Sequence, residues 1–230
     1  MQLSRRGLIL GGAATLAACA TAGRQDPLNL AQISPAELPP VTTPLEVVVT
    51  EAPKTVMDPR GVIRKPLLEQ AMAALERHGA RIPNRDAMFI VDFDRHSAQP
   101  RLYRLNLGDG RVDLFRTAHG RGSDPAHTGF AERFSNTPNS FASSVGAYVT
   151  AGASSGSVYA ENVLLDGLES TNYMARDRAI IVHAADYCEP GYVAQHGKMG
   201  RSNGCFSLSG QDLRVLRPAM DKGRLLFAGA

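Results

Sequence analysis

The chain has 230 residues, 43% apolar and 20% charged, with 25 Lys and Arg against 22 Asp and Glu for a formal net charge of +3. That composition is globular and holds one sizeable domain plus appendages, and the absence of Lys/Arg runs or aromatic–basic interleaving argues against a nucleic-acid partner. Three cysteines are too few for a disulfide scaffold, and 22 Gly with 14 Pro favour a turn-rich β protein over a helical bundle.

Residues 1–19, M-Q-L-S-R-R-G-L-I-L-G-G-A-A-T-L-A-A-C, read as an export signal. Arg5 and Arg6 precede an apolar run from Leu8 to Ala18 that ends in small residues. At about 11 residues the run is too short to cross a bilayer core of about 30 Å as a helix. The twin arginine resembles a Tat signal, with Sec export as the alternative. Leu16-Ala17-Ala18-Cys19 resembles a bacterial lipobox, in which Cys19 would be diacylated and become the new N-terminus. An ordinary cleavage site beside an incidental Cys is the other reading. Acyl chains contribute about 0.8 kcal/mol per buried CH₂, so a multiply acylated Cys19 would anchor the chain to a membrane. Ala20 follows, with no Asp to suggest inner-membrane retention. By resemblance to known lipoproteins, the expected address is the periplasm, on the outer membrane.

Residues 20–63 read as a proline-rich tether: eight of the 14 prolines fall between Pro27 and Pro66, and A-E-L-P-P-V-T-T-P cannot sustain a helix. L-E-V-V-V-T (45–50) is a possible strand within it. The domain proper is assigned to 64–230. Pro66 opens a run in which Leu67, Ala71 and Leu75 recur beside Leu68 and Met72, and Gly79 stops it. The spacing predicts one amphipathic packing helix of about 13 residues.

From residue 86 the pattern is β. Strands are predicted over 86–94, 101–107 and 111–119, the last two joined by Gly108-Asp109-Gly110 as a hairpin. A loop rich in Gly, Ser, Asn and Pro covers 120–140. A second strand pair is predicted at 145–150 and 157–166, and a short helix or turn at 175–178. An apolar strand, A-I-I-V-H, ends on His183. A helix at 209–218 and a closing strand at 224–228 complete a mainly β domain with a few short helices.

The chemistry gathers between 183 and 206. G-K-M-G-R-S-N-G-C ends on Cys205. A thiol is nucleophilic as the thiolate and needs a base or a cation beside it. His183, at the end of a buried strand, is the candidate base. Gly204 tolerates φ > 0, so the Gly204–Cys205 backbone can aim N–H groups at a developing oxyanion, and Ser202 can brace the loop. The spacing alone is weak evidence, and a buried structural Cys is the bland reading.

I-V-H-A-A-D-Y followed by G-R-S-N-G-C resembles the catalytic segment of the L,D-transpeptidases of bacterial cell walls, the YkuD-type cysteine enzymes. A-H-G-R-G-S (118–123), F-S-N-T-P-N-S (134–140), S-S-V-G-A-Y (143–148), L-D-G-L-E (165–169) and A-R-D-R-A-I-I-V-H (175–183) resemble the murein L,D-transpeptidase branch, so the likeness spans about 86–227. It implies a β-sandwich or barrel-like domain, with Cys205, His183, Gly204 and Ser202 as the catalytic group. It also implies peptidoglycan stem peptides as partners, with no cofactor or metal. Cys205 would attack the diaminopimelate carbonyl of a tetrapeptide stem and release D-Ala. The thioester would then pass to an amine, giving a 3–3 crosslink, or to water, as an L,D-carboxypeptidase. The chain departs from the common pattern at Ala184, where Gly is usual, and at Phe206-Ser207, where a branched residue and a substrate-orienting Arg are usual.

Further candidates carry plain alternatives. His119, Arg201, Asn136 and Ser144 are expected to contact substrate, with Ser135, Ser143 and Arg176 also possible; each could equally be turn chemistry or a solvated group. Cys188 could be a free thiol, or pair with Cys205 as a disulfide. His183, Cys188, His196 and Cys205 could be drawn as a zinc site, though their spacing matches no compact zinc pattern. The alternatives to an enzyme are a non-catalytic peptidoglycan-binding lipoprotein on the same fold and a metal-binding module.

Overall fold

The computed structural model describes residues 55–153 and 162–230. The export signal, Cys19, most of the tether, the possible strand at 45–50 and residues 157–161 of another expected strand lie outside the described residues. Among the described residues no helix is long and apolar enough to cross a membrane.

Eight strands form one mixed sheet: β1 (Ala87–Asp92), β2 (Leu102–Asn106), β3 (Val112–Phe115), β4 (Gly146–Thr150), β5 (Val163–Gly167), β6 (Ile181–Ala184), β7 (Phe206–Leu208) and β8 (Leu225–Gly229). Their spatial order is β3-β2-β1-β8-β4-β5-β6-β7. β1 pairs β8 and β6 pairs β7 in parallel; the other pairs are antiparallel. Three helices accompany them: α1 (Lys65–Arg77), α2 (Pro190–His196) and α3 (Gly210–Leu216).

The central strands are buried on both faces, which explains their continuous apolar runs. Successive side chains point to opposite faces, and the two cores sort accordingly. Met88, Ile90, Tyr103, Leu105, Val149, Leu225 and Phe227 face α1, which contributes Leu67, Ala71, Ala74 and Leu75. Phe89, Val91, Leu102, Tyr148, Leu165, Val182, Phe206 and Leu226 face inward with Leu213, Leu216 and Met220. Phe206 is fully buried, stacked 6.0 Å from Phe93 and edge-on 5.5 Å from Tyr148.

β3 ends at Phe115, short of the predicted 119. The residues beyond it leave β2 and join the far edge of the sheet. Ala118 N donates to Ser207 O at 2.8 Å, Ser202 N to His119 O at 2.9 Å, and Arg121 N to Ser202 O at 2.8 Å. Gly120 and Ser202 form a parallel bridge. This return draws β3 and β7 together and curls the sheet into a nearly closed barrel.

The helix at 65–77 and the strands at 87–92, 102–106, 146–150, 181–184 and 225–229 agree with the periodicity within a few residues. Ser209 caps α3 by accepting the Asp212 N–H at 3.1 Å. The sequence pattern missed β7, three residues long, and α2, seven residues long with no buried side chain; both are too short to show a period. Residues 57–63, assigned above to the tether, pack on the β2–β3 hairpin. Asp58 N donates to Gly110 O at 3.0 Å, Arg60 Nη2 to Val112 O at 2.7 Å, and Ile63 is buried.

Phe206 holds β7 in the core one residue from Cys205. Phe206→Ala should cost about 3–5 kcal/mol through lost burial and the cavity left behind. Urea denaturation measures this; a loss below about 1 kcal/mol would show that β7 is not anchored there.

Candidate active site

His183 and Cys205 are brought together by the parallel β6–β7 pair, whose register sets His183 opposite Ser207 and Val182 opposite Phe206. Cys205 immediately precedes β7. Side chains alternate along a strand, so Cys205 and Ser207 share the side of β7 that Phe206 does not. His183 is buried, and Cys205 is partly exposed at the surface.

His183 Nδ1 lies 2.8 Å from Ala184 O. A carbonyl only accepts, so Nδ1 carries the proton and Nε2 is the basic nitrogen. Burial lowers the ring's pKa, opposed by the hydrogen bond to Ala184. The Cys205 thiol donates toward Ala179 O at 3.5 Å. Burial raises its pKa; the Ile181 N–H, the charge of Arg178 and its own N–H offset part of that rise. Both shifts favour a neutral thiol and a neutral imidazole at rest.

The turn before β7 is pinned by Ser202. Its hydroxyl donates to Cys205 O at 2.8 Å and accepts the Gly204 N–H at 3.0 Å. Ser202 therefore braces the loop. The same bond corrects the oxyanion cradle: the Gly204 N–H is committed to Ser202, leaving the Cys205 N–H of the expected pair. Gly204 has φ +118°, and a Cβ there would lie 2.8 Å from both Ala142 O and Ile180 Cδ1. Gly120 packs against this turn so closely that its own Cβ would come within 2.8 Å of Gly204 Cα. Ser143 ties the two segments, accepting from Gly120 N at 2.9 Å and donating to Gly204 O at 3.2 Å.

Arg178, which the sequence pattern did not single out, lies against the Gly204–Cys205 turn. Its guanidinium donates to Ser135 O at 2.6 Å, to Ser140 Oγ at 3.3 Å and to Ala142 O. A Cβ at Gly204 would lie 3.2 Å from its Nη2. Arg178 thus clamps the 135–142 loop against the nucleophile turn and places a cation beside the sulfur. Burial lowers its pKa, and the Cys205 thiolate opposes that shift. The run A-R-D-R contained it, but Ala179, at φ +53°, turns the chain just after it in a way no periodicity reveals. Arg176 instead pairs with Asp166 at 2.8 Å on the surface.

The four residues expected to contact substrate all make scaffold hydrogen bonds. His119 is buried; Arg101 Nη2 donates to its Nδ1 at 2.8 Å, so its Nε2–H donates to Asp124 Oδ2 at 3.2 Å. Burial and the neighbouring Arg101 charge bring its pKa down to about 3. Both ring nitrogens are committed to the scaffold. Arg201 Nη1 grips the carbonyls of Asp124 and, at 3.1 Å, Pro125. Asn136 spans the 170–174 turn, donating to Ser170 O at 3.2 Å and accepting Met174 N at 3.0 Å. Ser144 is buried with its hydroxyl 2.8 Å from Tyr148 Oη. These scaffold bonds were not readable in sequence because side-chain-to-backbone bonding leaves no periodic signature.

Cys188 and Cys205 are both free thiols, so the disulfide is not formed. Cys188 packs with Ala118 and Met199, and burial pushes its pKa up. Among the described residues no three His, Cys, Asp or Glu side chains are grouped to hold a metal ion. His196, drawn into the possible zinc set, stacks on Tyr192 at a ring separation of 4.0 Å.

Removing the cation beside the sulfur should make the thiol less acidic. Arg178→Ala is expected to move the midpoint of Cys205 alkylation by iodoacetamide to higher pH, and Arg178→Lys to move it less; an unmoved midpoint would remove Arg178 from the site. His119 generates a second expectation. Its folded pKa of about 3 lies below the ordinary imidazole value of 6.5, so between these the unfolded chain binds more protons. Stability is then fully present above pH 6.5 and falls toward pH 3, by up to about 1.4 kcal/mol per pH unit from this residue. Urea midpoints at pH 7 and 4.5 should differ less in His119→Gln than in wild type; equal differences would show that His119 is not held neutral.

A family model described as L,D-transpeptidase catalytic domain matches residues 60–228. No curated protein matches the chain. Among solved structures, an L,D-transpeptidase from Mycobacterium tuberculosis is 18% identical, covering 63% of this chain and 58% of its own, with a TM-score of 0.39. One from Mycobacterium smegmatis is 14% identical over 63% and 59%, with a TM-score of 0.36. An LD transpeptidase in complex with imipenem is 12% identical over 63% and 59%, with a TM-score of 0.38. The chain thus spans less than two thirds of each of these structures. Since the family match takes in α1, β1 to β7, all but the last residue of β8 and the segment from His183 to Cys205, the chain belongs to the L,D-transpeptidase catalytic domain family.

Proposed function

We propose that the domain is an acyltransferase of bacterial peptidoglycan in which Cys205 carries the acyl group. The observation that supports this most is the partly exposed thiol at the head of β7, beside the strand that carries His183. The donor is a tetrapeptide stem. The sulfur bonds to the diaminopimelate carbonyl carbon while His183 Nε2 takes the thiol proton. The C–N bond to the terminal D-Ala breaks, and the imidazolium returns that proton to the leaving amine. An amine of a second stem then attacks the thioester, losing its proton through His183, and the thiolate leaves. The product is a 3–3 crosslink; water in place of the amine gives the L,D-carboxypeptidase reaction.

The resting electrostatics suit this sequence of steps. A raised thiol pKa and a lowered imidazole pKa disfavour a standing ion pair, so the proton moves as the sulfur attacks. Arg178 supports the negative charge that develops at the sulfur. The export signal at 1–19 and acylation of Cys19 would place the enzyme in the periplasm on the outer membrane.

Incubation with a disaccharide-tetrapeptide, followed by mass, tests the reading. Loss of D-Ala and formation of a dimer or a tripeptide are expected, together with an imipenem adduct on Cys205. Cys205→Ala should lower turnover by at least about a thousandfold. Wild-type turnover in Cys205→Ala would sink the assignment.

A further inference from the structure

Ser207 stands where the common pattern carries Arg, and it is fully buried. Its Oγ lies 3.0 Å from His183 Nε2 and 3.0 Å from Tyr187 Oη. Tyr187 belongs to the single 3₁₀ turn Asp186–Cys188 that follows β6, so the chain of three groups is built from β6, the turn and β7. With the ring proton on Nδ1, Nε2 is an acceptor. The Ser207 hydroxyl therefore donates to Nε2, and the Tyr187 hydroxyl donates to Ser207 Oγ.

We propose that Ser207 and Tyr187 are positioning residues for the base: a hydroxyl relay that caps Nε2 at rest and reverses when Nε2 takes the thiol proton. This rests on the reading of Cys205 as the nucleophile and His183 as its base. A hydroxyl both donates and accepts, so the reversal needs only rotation of O–H bonds. Once Nε2 is protonated it donates to Ser207 Oγ. The Ser207 hydrogen swings to Tyr187 Oη, and the Tyr187 hydrogen turns away. No covalent bond to oxygen breaks, and the transferred proton stays on Nε2 until the leaving amine takes it. The bond from the imidazolium is charge-assisted and stronger than the neutral bond it replaces, so the relay favours the charged ring. It also gives the imidazolium proton a partner other than the sulfur, which leaves the sulfur lone pair to attack. An Arg at this position would have no acceptor to offer Nε2–H, so Ser207 changes the character of the site.

Among the described residues, Tyr187 from the 3₁₀ turn bonds to Ser207, Cys205 stands two residues before Ser207 at the head of β7, and the charge of Arg178, from the turn before β6, acts on the thiol. The test uses the full chain and the variants Ser207→Ala, Ser207→Thr and Tyr187→Phe. Nitrogen NMR titration of His183 should show its pKa moved down in Ser207→Ala and, by less, in Tyr187→Phe, with Ser207→Thr restored toward wild type. The pH profile of acyl-enzyme formation on Cys205 with a tetrapeptide should then keep its shape in Ser207→Ala but shift its acid limb to lower pH. Its plateau should fall about ten- to a hundredfold. A lowered plateau with an unmoved limb and an unmoved His183 pKa would mark Ser207 as structural and overturn the relay. Absence of a Cys205 acyl-enzyme in wild type would instead overturn the nucleophile reading, which the NMR titration does not depend on. Tyr187→Phe guards against misfolding of the buried Ser207 variants, since it removes one oxygen at a half-buried position.

Discussion

The parallel pairing of β6 with β7 is the constraint on which the site depends. Parallel strands cannot be joined by a tight turn, so the chain between them must cross over. Residues 185–205 make that crossover through a 3₁₀ turn, α2 and the nucleophile turn. It has little core of its own: Ala118, Cys188 and Met199, with Ala185, Tyr187 and Val193 against them. What holds the end of the crossover in place is Phe206 in the main core and Ser202 on the backbone of Cys205. Cys205, delivered this way, lies at the sheet edge and is partly exposed, while His183 lies one strand further in and is buried.

The opposite wall of the site is supported by a buried polar network. Arg101 is completely buried, and burial brings its pKa down to about 9. It remains tolerable because its donors meet Thr117 O at 2.9 Å, Arg95 O at 2.9 Å and His119 Nδ1 at 2.8 Å. His119 passes the connection to Asp124. Burial would raise that carboxyl, but the N–H groups of Gly129 and Thr128 and the His119 ring outweigh it and hold it below the usual range. Removing one partner of such a buried set typically costs about 3–5 kcal/mol. The network fixes the 117–129 segment, and that segment carries Gly120 up against Gly204. The shape of the nucleophile turn is thus tied to a cation remote from the sulfur in sequence.

At the sulfur, desolvation and charge pull in opposite directions, and desolvation wins. Arg178 is itself partly desolvated and spends three contacts on loop oxygens, so it supplies only part of the offset. The resting thiol is therefore held neutral, and so is the His183 ring, which burial also makes less basic.

The fold class and most elements were legible in sequence because their signals are local. The α1 stripe at Leu67, Ala71 and Leu75, the doubly buried run of β1, the hairpin turn at 108–110 and the Ser209 cap each act within a few residues. The end of an apolar strand on His183 and the glycine before Cys205 were also readable, since both are local patterns. What only the tertiary structure decided was which polar groups face one another. His119, Asn136, Arg201 and Ser144 serve the scaffold, whereas Arg178, Ser207 and Tyr187 reach the Cys205–His183 pair. The reason is physical: a polar side chain's role is set by the partner that satisfies its hydrogen bonds. Here those partners are brought across the sheet by the β6–β7 crossover and by the return of the 117–120 segment, over separations that no local pattern records.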